Sequence, residues 1–197
     1  INRNFRLYHK YEPDSPQNSY FSRLFSDRSL VEQYLFYINR FTEPLYFKKR
    51  LDEIKTDFEK YNDSIVTEYP FYNIEKDINS VVVNAKNIRN SFLTNSEDAI
   101  NVGVVRLHQN TLELNLSNNK PVPIILHNIK INKEKISEFS QVWLPQIYAN
   151  DEKVVKKLEI KMVPSGIKNQ LEKSSFIIEF EYSVPGIYIK QLSRKVV

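Results

Sequence analysis

Cysteine is absent from the 197 residues, and glycine occurs only three times, at 103, 166 and 186. The first absence excludes disulfide staples, thiolate metal sites and a cysteine nucleophile. The second leaves no glycine-rich loop to cradle a phosphate: neither GxGxxG nor GxxxxGK[ST] occurs. The GxSxG nucleophile elbow and the HExxH zinc helix are missing as well. No apolar run approaches the roughly 18 residues that would span a bilayer, so no membrane crossing is expected. The start carries no signal-peptide pattern. It begins with Ile1 rather than Met, which suggests a processed product or a fragment.

What the chain does contain is ordinary for a globular protein with a core: 41% hydrophobic and 26% charged residues. Richness in Asn, Ile, Lys, Tyr and Phe suggests AT-rich coding and a bacterial origin. The net charge of +4 could point to nucleic acid. The signs alternate, however, and the one tight basic cluster, Lys48-Lys49-Arg50, is flanked by Glu43, Asp52 and Glu53. A solvated helix face is the favoured reading, and no nucleic-acid partner is expected.

The hydrophobic period changes near Asn95-Ser96, which divides the chain into a helical part, 1–95, and a strand-forming part, 96–197. Ser15-Pro16 predicts a first helix carrying Tyr20, Phe21, Leu24 and Phe25 on one face. Ser26 or Asp27 caps a second, with a stripe of Leu30, Val31, Tyr34, Leu35, Ile38 and Phe41. Thr42 followed by Pro44 predicts the start of a third, which Pro70 stops. Its stripe is Phe47, Leu51, Ile54, Phe58, Tyr61 and Ile65. A fourth carries Ile74, Ile78, Val81, Ala85, Ile88 and Phe92, although Val81-Val82-Val83 is a local strand former. The last two stripes repeat about every 3.5 residues and should pair as an antiparallel helical hairpin.

From Val102 the period is two. Leu112, Leu114 and Leu116 alternate with polar residues, Asn118-Asn119 marks a turn, and Pro121–Ile131 reads as the next strand. Leu158, Ile160 and Met162 form another. Phe176, Ile178, Phe180 and Tyr182 alternate with Ile177, Glu179 and Glu181. Pro185-Gly186 then turns into a strand over Ile187–Lys190. Six or seven such strands predict an antiparallel β-sandwich, and the fold class is α+β.

No catalytic, cofactor-binding or metal-binding residue is assigned, and the binding surface is unknown. His9, His108 and His127 lack an acidic partner at ligand spacing, so surface histidines are favoured over a metal pair. Glu179 and Glu181 could form a carboxylate pair, but the solvent face of a half-buried strand explains them better. Asp57 and Glu59 sit on a charged helix, with Lys55 and Glu59 an i, i+4 pair. Trp143 is either a core residue, the favoured reading, or an exposed anchor for sugar or protein. The triplets Asn62-Asp63-Ser64 and Asn115-Leu116-Ser117 match the glycosylation pattern too commonly to carry weight.

Three segments carry a family resemblance: YFSRLFSDRSLVEQYLFYINRF, LYFKKRLDEIKTDFEKYNDSI followed by EYPFYN, and NAKNIRNSFL. Together they resemble the C-terminal part of the CotH-like family, the spore-coat-protein-H-type atypical kinases of bacteria. LELNLSNNKPVPIILHNIKI is similar to the extra domain that follows the kinase region in some envelope members. The resemblance implies helices that back a kinase lobe and a β-domain that follows it. The family's lysine and DxD-type aspartates lie earlier in the chain. No DxD occurs here, and Asp14 has no partner aspartate two residues away. ATP and a divalent metal are therefore implied for the parent kinase and not for this chain. The implied setting is a bacterial cell envelope or surface. The partner would be the upstream kinase domain, an envelope protein or a polysaccharide. Two other readings stay open: an unrelated surface-binding module, and an enzyme whose site is dispersed over both halves.

Overall fold

The computed structural model describes residues 27–72, 74–93, 97–108, 111–136, 141–146, 155–161, 177–187 and 189–196. The first predicted helix, with His9, Asp14, Met162 and Phe176, lies outside these residues. The described chain is α+β, with three helices and two antiparallel sheets of three and five strands that do not close into a barrel.

Helix α1 (Arg28–Phe41) begins where Asp27 accepts hydrogen bonds from the Ser29 and Leu30 amides, at 2.9 and 3.3 Å. A carboxylate there satisfies donors that the first helical turn leaves unpaired. Thr42 closes this helix rather than opening the next: its hydroxyl donates to the Ile38 carbonyl at 2.7 Å. Helix α2 (Pro44–Glu68) starts from Glu43, with Pro44 in the first turn, and stops before Pro70 as its sequence requires. Helix α3 (Ile74–Leu93) includes Val81-Val82-Val83 despite their strand preference. It runs back toward α1, where the Arg89 guanidinium donates to the Asn39 backbone and side-chain oxygens at 2.8 and 2.9 Å.

The first sheet orders β1 (Ile100–His108), β2 (Thr111–Asn118) and β6 (Lys156–Lys161). In the second, β3 (Ile124–Ile131) is central. Strand β7 (Ile177–Ser183) pairs with one edge of β3, and β8 (Lys190–Val196) lies beyond it. The short β4 (Glu134–Lys135) and β5 (Val142–Leu144) also pair with β3. Two strand boundaries move from their predicted places. Pro121 and Pro123, which cannot donate to a ladder, precede β3 rather than entering it. The strand after Pro185-Gly186 starts only at Lys190 and runs on to Val196.

Alternation gives each sheet one buried face, and one core draws on both. Leu112, Leu114 and Ile160 of the first sheet share it with Ile129, Ile131 and Phe180 of the second. A smaller second core joins helices to strands: Val31 and Leu35 of α1, Phe92 of α3, and Val122, Val184 and Ile187. Full burial of each such side chain contributes about 1.5–3 kcal/mol.

Two backbone positions make local demands. Gly186 has φ of +71°, and a Cβ there would overlap the Glu32 carbonyl oxygen and lie 3.0 Å from the Phe36 amide nitrogen. The turn thus rests directly on the backbone of α1. Gly186→Ala should cost about 2–4 kcal/mol, from strain at positive φ plus displacement of the helix. A urea midpoint that stays at the wild-type value would contradict this contact. Asn132 and Lys133 join β3 to β4 at φ of 48° and 75°, a geometry in which lysine is disfavoured. Lys133→Gly should therefore raise stability by about 0.5–1 kcal/mol, read as a higher melting temperature with an unchanged near-ultraviolet spectrum.

Candidate functional site

The candidates named from sequence separate in space. His108 is exposed at the end of β1 and His127 lies on β3, in different sheets, so they do not form a pair. His127 Nε2 lies 2.7 Å from the Ser183 hydroxyl. Partial burial lowers its pKa, the Lys190 charge adds to that, and Glu181 opposes it. Glu179 and Glu181 each face a cation on β8, at 3.6 Å from Arg194 and 2.6 Å from Lys190. Those cross-strand ion pairs occupy the carboxylates that a general acid–base pair would need. The Lys190 hydrogen bond holds the Glu181 carboxyl below its ordinary range.

On α2 the charges pair locally: Lys49 and Arg50 with Glu53, and Lys55 with Glu59 at 3.9 Å. Both glycosylation triplets lie inside regular elements, one in α2 and one in β2 with Ser117 buried. Among the described residues no group of three or more His, Cys, Asp or Glu side chains could hold a metal ion. Among the same residues no helix is long and apolar enough to cross a membrane.

Trp143 is neither a deep core residue nor a free anchor. It is half-buried against the second core, and the Arg28 guanidinium lies 5.3 Å from its ring centroid. A cation over an indole face is favourable, and here it couples the first residue of α1 to β5.

The most polar buried region was not legible in the sequence. Lys120, in the bend after β2, is only 4% exposed, yet it reads as an ordinary solvated turn residue between Asn119 and Pro121. Its ammonium donates to the Phe92 carbonyl at 3.2 Å, near the C-terminus of α3. It also lies 5.8 Å from the Tyr182 ring centroid. A cation at this end complements the helix dipole and satisfies a carbonyl that the helix leaves unpaired. Gln191 donates to the same carbonyl at 3.4 Å. Asn118 secures the bend: its amide donates to the Val122 carbonyl at 2.8 Å, and its side-chain oxygen accepts from the Lys120 amide at 2.8 Å. Burial pushes the Lys120 pKa down to about 8. A lysine so perturbed has the nucleophilicity that covalent catalysis uses, but its burial closes it to a substrate. Its chemistry here is that of a joint between α3 and the sheets.

The open surface lies on the helical hairpin. α2 has no buried residue along its 25 positions. Ile54 and Tyr61 of its stripe are 49% and 65% exposed, Val81 of α3 is 51% exposed, and Phe71 at the tip is 100% exposed. Ile65, Tyr69, Pro70, Phe71 and Tyr72 line an open, mainly apolar depression at that tip. The predicted stripes were thus in the right places, but the structure leaves them only partly covered.

No protein-family model matches the chain, and no curated protein matches it either.

The Lys120 joint predicts a specific pH dependence. A lysine that titrates near 8 in the fold and near 10.5 when unfolded binds fewer protons in the fold between those values. Its cost is fully present below pH 8 and disappears as pH rises toward 10.5. Wild-type stability should therefore rise by about 2–3 kcal/mol relative to Lys120→Met over that interval. Parallel stability curves for the two proteins from pH 7 to 10.5 would refute the buried charge.

Proposed function

We propose that this chain is a non-catalytic interaction module, with the α2–α3 hairpin as its principal contact surface. The carrying observation is that a 25-residue helix with a regular apolar stripe has no buried residue. Helices in proteins gain most of their stability by burying such a stripe. A helix whose stripe is only partly covered, with Ile54 and Tyr61 exposed, is suited to a partner.

The resemblance to CotH-like proteins supplies a parent: a bacterial envelope or surface protein with an atypical kinase domain upstream. In this reading the helices support that domain, and ATP and its divalent metal belong to it. The strands serve as a β-sandwich that contacts the parent, an envelope protein or a polysaccharide. The core shared by both sheets supports facing sheets of that kind.

Titration calorimetry of the 197-residue chain with ATP–Mg²⁺ tests the non-catalytic assignment. No binding heat is expected at micromolar concentrations, and micromolar affinity would overturn it. Coding sequence upstream of Ile1 containing a lysine and a DxD motif would support the kinase parent. A signal peptide directly before Ile1 would instead support an unrelated surface module.

A further inference from the structure

The hairpin carries an ordered charge pattern. In the base half of α2, Lys48, Lys49, Arg50 and Lys55 outnumber Asp52 and Glu53. In its tip half, Asp57, Glu59, Asp63 and Glu68 outnumber Lys60. α3 runs back along it with the same polarity in space. Glu75 and Asp77 flank Lys76 at the tip, while Lys86 and Arg89 lie toward the base. The base half therefore holds six basic and two acidic residues, and the tip half six acidic and two basic. Within one hairpin, like charge lies beside like charge. α2 is also ordered against its own dipole, which favours anions at the start of a helix and cations at its end.

We propose that the hairpin pairs with the hairpin of a second copy of this chain, antiparallel, base against tip. This rests on reading the hairpin as an interaction surface, and it names the partner. A two-fold axis across the middle of α2 sets each basic half against an acidic half, which a parallel arrangement cannot do. It brings Tyr69, Phe71 and Tyr72 at one tip to the other base. There Phe36, Tyr37 and Phe41 of α1 form an exposed aromatic run that continues to Tyr46. The 4-3-4-3-4 spacing of the α2 stripe is a helix–helix seam, and within the hairpin its Ile54 and Tyr61 stay exposed. A hairpin about 37 Å long and about 20 Å wide offers a face of roughly 700 Å². Stable interfaces bury about 800 Å² per partner.

Sedimentation equilibrium of the 197-residue chain should show the 23.4 kDa monomer giving way to a species of twice that mass as concentration rises. Raising salt from about 0.05 to 0.5 M should weaken the dimer, because screening removes the attraction between halves. Spin labels on Thr67→Cys, the chain's sole cysteine, should lie roughly 33 Å apart in the antiparallel dimer. Labels in contact, or association strengthened by salt, would mean parallel pairing and overturn the proposal. A charge swap gives a second measure. Lys49→Glu with Arg50→Glu, and separately Glu59→Lys with Asp63→Lys, should each weaken self-association about tenfold. Mixing the two variants should restore it, with circular dichroism confirming that both keep their helices. An unchanged dissociation constant in either variant would overturn the charge argument.

A chain that stays monomeric up to on the order of 0.5 mM overturns self-pairing. The hairpin would then be covered by another partner or by residues 1–26, and the interaction-module reading would survive. Micromolar ATP binding would overturn the non-catalytic reading while leaving the dimer standing.

Discussion

The contact between the Pro185–Gly186 turn and the backbone of α1 is the constraint from which the rest of the arrangement follows. Only a residue without a Cβ fits between that turn and the Glu32 carbonyl. With the turn seated, Val184 and Ile187 meet Val31 and Leu35, and the second core forms. α1 is then fixed at both ends. Arg28 lies over Trp143 at its start, and Asn39 receives Arg89 near its finish. α3 is held in turn at its last residues, by Phe92 in the second core and by Lys120 on the Phe92 carbonyl. Every one of these contacts sits at the base of the hairpin. α2 inherits its direction from the base while gaining no buried side chain of its own.

Much of this fold could be read from periodicity, because period reports which face of an element meets a core. Leu112, Leu114 and Leu116 alternate with polar neighbours and are fully buried. Asp27, Pro44 and Pro70 mark helix boundaries through local chemistry that needs no tertiary context. The misreadings are equally physical. Thr42 has a hydroxyl suited to opening a helix, yet it bonds back to Ile38 and closes one. Val81-Val82-Val83 prefers strand, and its place within a 20-residue helix overrides that preference.

The exposed surface was less legible, since periodicity says that a stripe is apolar but not whether anything covers it. The stripes of α1 and α2 look alike on paper. Val31 and Leu35 are buried, while Ile54 and Tyr61 are largely exposed. The difference is made by Val184 and Ile187, which lie more than 140 residues away in sequence and whose approach to α1 nothing local announces. Lys120 was hidden for the same reason. A lysine beside two asparagines and a proline has the composition of a solvated bend, and only the arrival of α3 and β8 buries it.

Net charge conceals the feature that distinguishes the hairpin. The whole chain carries +4, a figure that does not say how the charge is arranged. The base half of the hairpin has an excess of four positive charges and the tip half an equal excess of negative ones, so the hairpin as a whole is neutral but strongly polar. Phosphate tracking needs basic charge along a continuous surface, and here the positive region ends at the middle of each helix. The order on α2 does not serve that helix either. Glu68 in its last turn opposes the carbonyl end at a cost of about 0.3–1 kcal/mol, where a lysine would have contributed a similar gain. On α3 the same order in space agrees with that helix's dipole, with Glu75 and Asp77 in its first turn, so it is the order on α2 that its own helix does not account for. The same separation of sign that makes one hairpin unfavourable to itself makes two of them complementary.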